Sequence, residues 1–274
     1  MEIRHLCVRL LRLANLLLVL PVLGDANLAA PMDVTFGKNI SISGSDPAML
    51  SQNESAIAAN PRNPDNLVAV FQGRLTPSDP RSCFFAFTID RGKTWQLGGR
   101  APLQGPGDFC ADPAVAADDA GNFYFSYIDL RGSGQFFSEL DILVAKSVDG
   151  GMSFPNFSIA VDNDPSTSHS PFPDKDFIGA DTHPGSPFHG TIYVAYTDLS
   201  DQKGDEIAIA ISRDGGLTWA PPQIIGPTHG NEPGTLRTGA LPVVAPEIVA
   251  EIQGLLELLE IPAEGGARIQ KEDL

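Results

Sequence analysis

Basic residues are scarce in this chain. Eighteen Lys and Arg stand against 34 Asp and Glu in 274 residues, a formal net charge of −16. That balance argues against nucleic acid or an anionic membrane surface as partner, since both attract a positive footprint. Cysteine is scarcer still, at three copies, and Cys7 lies within the first ten residues. The other two, with scattered His, offer too few ligands for a zinc site. No apolar run beyond the N-terminus is long enough to cross a bilayer. A phosphate-cradling Gly-rich loop, a Gly-x-Ser-x-Gly nucleophile elbow and a His-Glu-x-x-His pair are all absent. What the chain does hold is 23 Pro and 27 Gly at ordinary hydrophobicity. That composition suits many short strands joined by tight turns.

The first residues read as a secretory signal peptide over 1–26. Arg4, Arg9 and Arg12 form a basic start, Leu13 to Gly24 an apolar core, and Gly24-Asp25-Ala26 a small-residue cleavage site, with Ala29 and Ala30 as alternatives. The core is short and Pro21 interrupts it; an uncleaved anchor is the competing reading. Cleavage predicts an exported protein, secreted or periplasmic, with no remaining membrane span. Without residues 1–26 the chain keeps 15 basic and 32 acidic residues, net −17. In an oxidising compartment Cys83 and Cys110 either close one disulfide or remain two buried thiols. The disulfide would enclose about 27 residues and contribute roughly 3 kcal/mol.

One octapeptide pattern, Ser/Thr-x-Asp-x-Gly-x-Thr/Ser-Trp/Phe, occurs three times. It reads Thr88-Ile-Asp90-Arg-Gly92-Lys-Thr94-Trp95, Ser147-Val-Asp149-Gly-Gly151-Met-Ser153-Phe154 and Ser212-Arg-Asp214-Gly-Gly216-Leu-Thr218-Trp219, with starts 59 and 65 residues apart. Three copies at nearly even spacing mean a repeated structural unit. Each copy sits between apolar alternating runs, which places it in a hairpin turn. The Asp accepts bonds from its own turn, the Gly takes positive φ, and the aromatic covers the turn. A carboxylate locked in this way is unavailable to a substrate, so Asp90, Asp149 and Asp214 are structural.

On these octapeptides the chain resembles the Asp-box (BNR) repeat proteins, the sialidase-like β-propellers, over about residues 46–245. The resemblance implies that each box joins the third and fourth strands of a blade, away from the active site. It does not fix one activity, because Asp-box propellers include sialidases, other glycosidases, sortilin-like receptors and assembly factors.

The repeat can be followed strand by strand. First strands are predicted at Glu54–Ala59, Asp112–Ala117 and Asp176–Asp181. Second strands follow at Asn66–Phe71, Asn122–Tyr127 and Thr191–Tyr196, and third strands at Cys83–Thr88, Leu140–Ser147 and Glu206–Ser212. A fourth strand comes after each box. Ala56, Ala58, Ala114, Ala116 and Gly179 suit a crowded centre; Phe71, Phe123, Phe125, Tyr193 and Tyr196 suit the space between sheets. Gly239–Ala245 reads as the first strand of a fourth unit. The pattern then changes to helical spacing, with Ile248, Ile252, Leu255, Leu256 and Leu259 apolar. The expectation is an all-β propeller of four-stranded antiparallel blades, incomplete at about three blades plus one strand. A lead-in over 27–45 precedes residues 46–245, and a C-terminal α-helix with polar tail fills 246–274. Such an arc leaves open edges. Truncation, self-association through those edges, or a helix covering one of them would each answer that.

Retaining sialidases, as the resemblance implies, hold a substrate carboxylate with three arginines and use a Tyr–Glu pair and an Asp. An Arg-Ile-Pro motif often marks the first arginine, and none occurs here. Arg74 and Arg131 follow second strands and are candidate cations. Glu54, Asp112 and Asp176 open the three first strands, so their carboxylates would ring the channel mouth. There they could share a proton, bind Ca²⁺ or do acid/base work; the alternative is that each caps backbone N–H groups. Asp174, Asp176 and Asp181 form the densest acidic group and are the candidate calcium ligands. They follow a long inter-blade loop over 163–174, and loops on rigid scaffolds often carry function. His169, His183 and His189 match no metal spacing. The functions in view are a sialidase-like glycoside hydrolase, a non-catalytic propeller that binds glycan or protein, and a fragment without activity.

Overall fold

The structure is a computed structural model. It describes residues 38–43, 50–105, 109–133, 136–163, 172–199, 206–225 and 239–244. Two compact units divide the chain at residues 39 and 40, and every strand lies in the second. The expected signal peptide over 1–26, most of the loop over 163–174 and the helical pattern over 246–260 fall outside the described residues.

All described regular structure is β. Twelve strands follow one another: β1 (Leu50–Asn60), β2 (Asn63–Arg74), β3 (Ser82–Thr88), β4 (Gln96–Arg100), β5 (Phe109–Ala117), β6 (Phe123–Ser133), β7 (Phe136–Ser147), β8 (Phe157–Val161), β9 (Pro173–Ala180), β10 (Ile192–Asp198), β11 (Glu206–Ser212) and β12 (Gln223–Ile224). They form three four-stranded sheets, β1–β4, β5–β8 and β9–β12, each paired in chain order and antiparallel throughout. Residues 239–244 form no strand. The fourth-unit strand expected over Gly239–Ala245 is not made among the described residues, because no partner strand there supplies ladder bonds. Its backbone still packs on the third sheet: the Pro242 carbonyl lies 3.0 Å from where a Gly179 Cβ would sit.

Alternation along the central strands explains the stacking. In β6, Phe123, Phe125 and Tyr127 point one way into a cluster with Val68, Val70, Phe85 and Phe154. Tyr124 and Ile128 point the other way, into a cluster with Ile142, Ile178, Val194 and Tyr196. The second sheet is thus buried on both faces, between the first and the third. Edge-on aromatic contacts fill the first junction, with Phe85–Phe154 centroids at 4.8 Å and Phe125–Phe154 at 5.5 Å. The small residues of β1 and β5, Ala56, Ala58 and Ala116, border these clusters, and Ala114 is buried in the second. Of the aromatics expected to pack between sheets, Phe123, Phe125 and Tyr196 are buried in the two junctions, whereas Phe71 is buried in a separate cluster with Phe84 and Ala86. Tyr193 is half-buried on the opposite face of β10.

A meander of this kind has two ends. At one lie the short turns after β1, β5 and β9 together with the three octapeptides; this is the turn end. At the other lie the connections after β2, β6 and β10 and the passages from one sheet to the next; this is the crossover end. Cys83 of β3 and Cys110 of β5 are disulfide-bonded, with Cα atoms 5.4 Å apart, and so tie the first sheet to the second.

Candidate functional site

The octapeptides repeat one hydrogen-bond pattern. In the second copy the Ser147 hydroxyl donates to Asp149 Oδ1 at 2.7 Å and accepts from Gly151 N–H at 2.9 Å. Ser153 gives Asp149 its N–H at 3.0 Å and its hydroxyl at 2.6 Å. Thr88, Asp90, Gly92 and Thr94 make the same four bonds, as do Ser212, Asp214, Gly216 and Thr218. Gly92, Gly151 and Gly216 all sit at φ between +80° and +84°. Phe154 is buried in the first junction, Trp95 packs on Phe71 and Phe84, and Trp219 borders the second cluster. The bonds from Thr94 and Thr88 hold the Asp90 carboxyl down at about 2; those from Thr218 and Ser212 lower Asp214 further. These carboxylates close their own turns.

The crossover end is where a site can be built. Each first strand carries a residue in the left-handed region, Glu54 at φ +53°, Asp112 at +50° and Lys175 at +49°. Each of these lies where the pairing register shifts. Ala56, Ala114 and Phe177 face Val70, Ser126 and Ala195 in the same register. Lys175, not Asp176, is therefore the structural counterpart of Glu54 and Asp112, and Asp176 takes the place of Pro113. Matching by residue type missed this because a bulge moves every later residue by one.

These bulge residues connect the sheets. Asp112 N–H donates to Glu54 Oε2 at 3.0 Å, and Lys175 N–H donates to Asp112 Oδ2 at 3.1 Å. The Lys175 ammonium adds a 3.4 Å ion pair to Asp112. A carboxylate at each bulge thus caps the backbone of the equivalent bulge in the following sheet. The ring of acids anticipated at a channel mouth is a backbone-capping relay.

The other predicted residues are dispersed. Asp174 pairs opposite Thr197, whereas Asp181 lies past the far end of β9, roughly 20 Å away along an extended strand. Asp181 closes the β9–β10 turn by accepting from His183 N–H at 3.0 Å and Ser186 Oγ at 2.5 Å. Asp174, Asp176 and Asp181 therefore do not converge, and among the described residues no three His, Cys, Asp or Glu side chains group to hold a metal ion. Asp176 is buried, facing Ser126 of β6. Arg74 ends β2, with a buried Nε that lacks a partner. Arg131 is engaged by Glu139 and, at 2.6 Å, by Asp141.

Sequence reasoning missed the network around Asp141. This fully buried carboxylate also accepts from Gln104 Nε2 at 2.6 Å and Asn163 N–H at 2.9 Å. Gln104 N–H reaches Asp129 at 3.1 Å. Its partners are 10 to 37 residues apart, and no local motif announces such contacts. Also unannounced is a cleft of about 300 Å³ between residues 40–43 and the β1–β2 pair, lined by Ser41, Ser43, Gln52, Asn53 and Ser55, with Phe71 among its apolar walls.

No family model matches the chain, and no curated protein matches it. Among solved structures, the leech intramolecular trans-sialidase is similar at 10% identity and a TM-score of 0.47, over 69% of this chain and 46% of that one. A family 117 glycoside hydrolase of the marine bacterium Zobellia galactanivorans is similar at 15% identity and 0.45, over 71% and 60%. A protein of unknown function from Dyadobacter fermentans is similar at 16% identity and 0.44, over 63% and 54%. The chain spans about half the length of the solved structures it matches.

Proposed function

We propose that this chain is part of an exported Asp-box β-propeller of the sialidase-like kind, and that it binds carbohydrate near the crossover end. The reading is carried by the three octapeptide turns, which make the same four bonds at the same end of three successive sheets. Its ligand class rests on the cleft beside Glu54. Hydroxyl and amide side chains next to an apolar face are what a sugar ring needs, polar at its rim and apolar on one side. Binding is favoured over hydrolysis because Glu54 and Asp112 have their carboxylates engaged by backbone N–H groups and Asp176 is out of reach of solvent.

The test is a glycan array of sialylated and neutral oligosaccharides, run beside a fluorogenic sialoside assay. Retention of a glycan without turnover is expected, and Asn53→Ala with Ser55→Ala should weaken it. Turnover of the sialoside would replace the binding reading with a hydrolase. Retention of none of the glycans would overturn the carbohydrate assignment.

A further inference from the structure

One buried acid takes no part in the relay or in the turns. Asp176 is 1% exposed, and neither of its carboxyl oxygens has a hydrogen-bond partner. It faces Ser126 of β6, which is fully buried with its Oγ equally unpartnered. This pair sits where the third sheet packs on the second. A single facing hydroxyl, that of Ser126, offsets only part of the cost of holding an ionised carboxylate in a dry junction. The protonated form is a neutral group with one O–H to donate, and a Ser hydroxyl across the junction can accept it.

The groups around Asp176 do not reverse that preference. From β5, Asp112 presents a like charge. From β9 itself, Lys175 presents an ammonium, but this lies 3.4 Å from Asp112 and over the Phe177 ring at 5.3 Å. From β6 comes the Ser126 hydroxyl. The strands β7 and β10 contribute members of the apolar cluster, Ile142, Val144, Val194 and Tyr196. Tyr196 is held neutral by burial and by the nearby charge of Asp198. Burial first, then the charge of Asp112, outweigh Ser126 and Lys175 and raise Asp176 to about 8.

We propose that packing of the third sheet onto the second takes up one proton at Asp176, which makes this junction a seam that loosens in alkali. In the unfolded chain the group ionises near 3.8, whereas in the packed junction it keeps its proton up to about 8. The stabilisation is complete below the lower value, declines as pH rises, and is gone above the upper one. Loosening would also release the Asp112–Lys175 link at the crossover end.

The test compares amide hydrogen exchange of the wild-type chain with that of Asp176→Asn between about pH 5 and 9. The variant keeps the shape and cannot ionise. The wild-type opening constant for β9 and β10, divided by that of the variant, should rise up to tenfold per pH unit and level off above pH 8. The same ratio for β1–β4 should stay flat. Parallel profiles in β9 and β10 would overturn the proposal. If the variant does not fold, infrared spectra of the wild type decide. A protonated carboxyl band that persists at neutral pH and vanishes in alkali supports the seam. The absence of such a band at neutral pH refutes it.

Discussion

Single residues carry the octapeptide turns, and two glycines separate strain from crowding. Gly151 has φ +84°, and an added Cβ would lie 2.0 Å from Val68 Cγ2, a fully buried side chain of the first sheet. Gly190 has φ +82° with nothing within 4 Å of that position. Gly190→Ala should therefore cost only the left-handed strain, about 1–2 kcal/mol. Gly151→Ala should add about 1–3 kcal/mol of overpacking, read from urea midpoints. The acid behaviour follows from the same turns. Asp90 is lowered from 3.8 to about 2 by Thr94 and Thr88, so its stabilisation is complete above the unfolded value and is lost as pH falls through the folded one. Melting temperature should drop between about pH 4 and pH 2, and less so in Asp90→Asn. These turns were legible in the sequence because all four bonds close within five consecutive residues or fewer. For Glu54 and Asp112 the sequence offered capping only as an alternative and could not name the partners, because the amides they cap lie 58 and 63 residues away.

At the scale of elements, the strands were legible and their registers were not. Alternating runs located all three third strands, and β3 and β11 reach little beyond them. The first strands extend further than the pattern predicted, β1 beginning at Leu50 rather than Glu54. The bulge interrupts alternation there and hides the strand's early half. The same bulge is testable. Glu54→Ala keeps the left-handed backbone and removes only the acceptor for Asp112 N–H, which should cost about 1–3 kcal/mol. Glu54→Gly removes the acceptor and relieves the strain, so it should be milder by about 1 kcal/mol. The disulfide was one of two open readings. It forms because β3 and the start of β5 meet at the junction, where Cys110 N–H also bonds Arg81 O at 3.1 Å. Replacing both cysteines by Ser should lower unfolding free energy by about 3 kcal/mol, measured by chemical denaturation.

For the whole molecule, the second sheet is the keystone, since among the described residues it packs on a neighbouring sheet through both faces while the first and third do so through one. Burial of Phe123, Tyr124, Phe125 and Tyr127 at 1% exposure or less makes β6 its centre. The dispersal of Asp174, Asp176 and Asp181 gives a prediction at this scale: millimolar calcium should leave the thermal transition unchanged. A clear upward shift on adding the ion would contradict the described placement of these acids.

The covalent link between the first two sheets also sets how the chain would respond to a pulling force. A load applied through residues 40 and 244 would bypass the 27-residue span between the two sulfurs. The β4 strand inside that span would be shielded, while β1, β2 and the strands after β5 would bear the load. Reduction would lengthen the released tether by about 90 Å, the reach of those residues when extended.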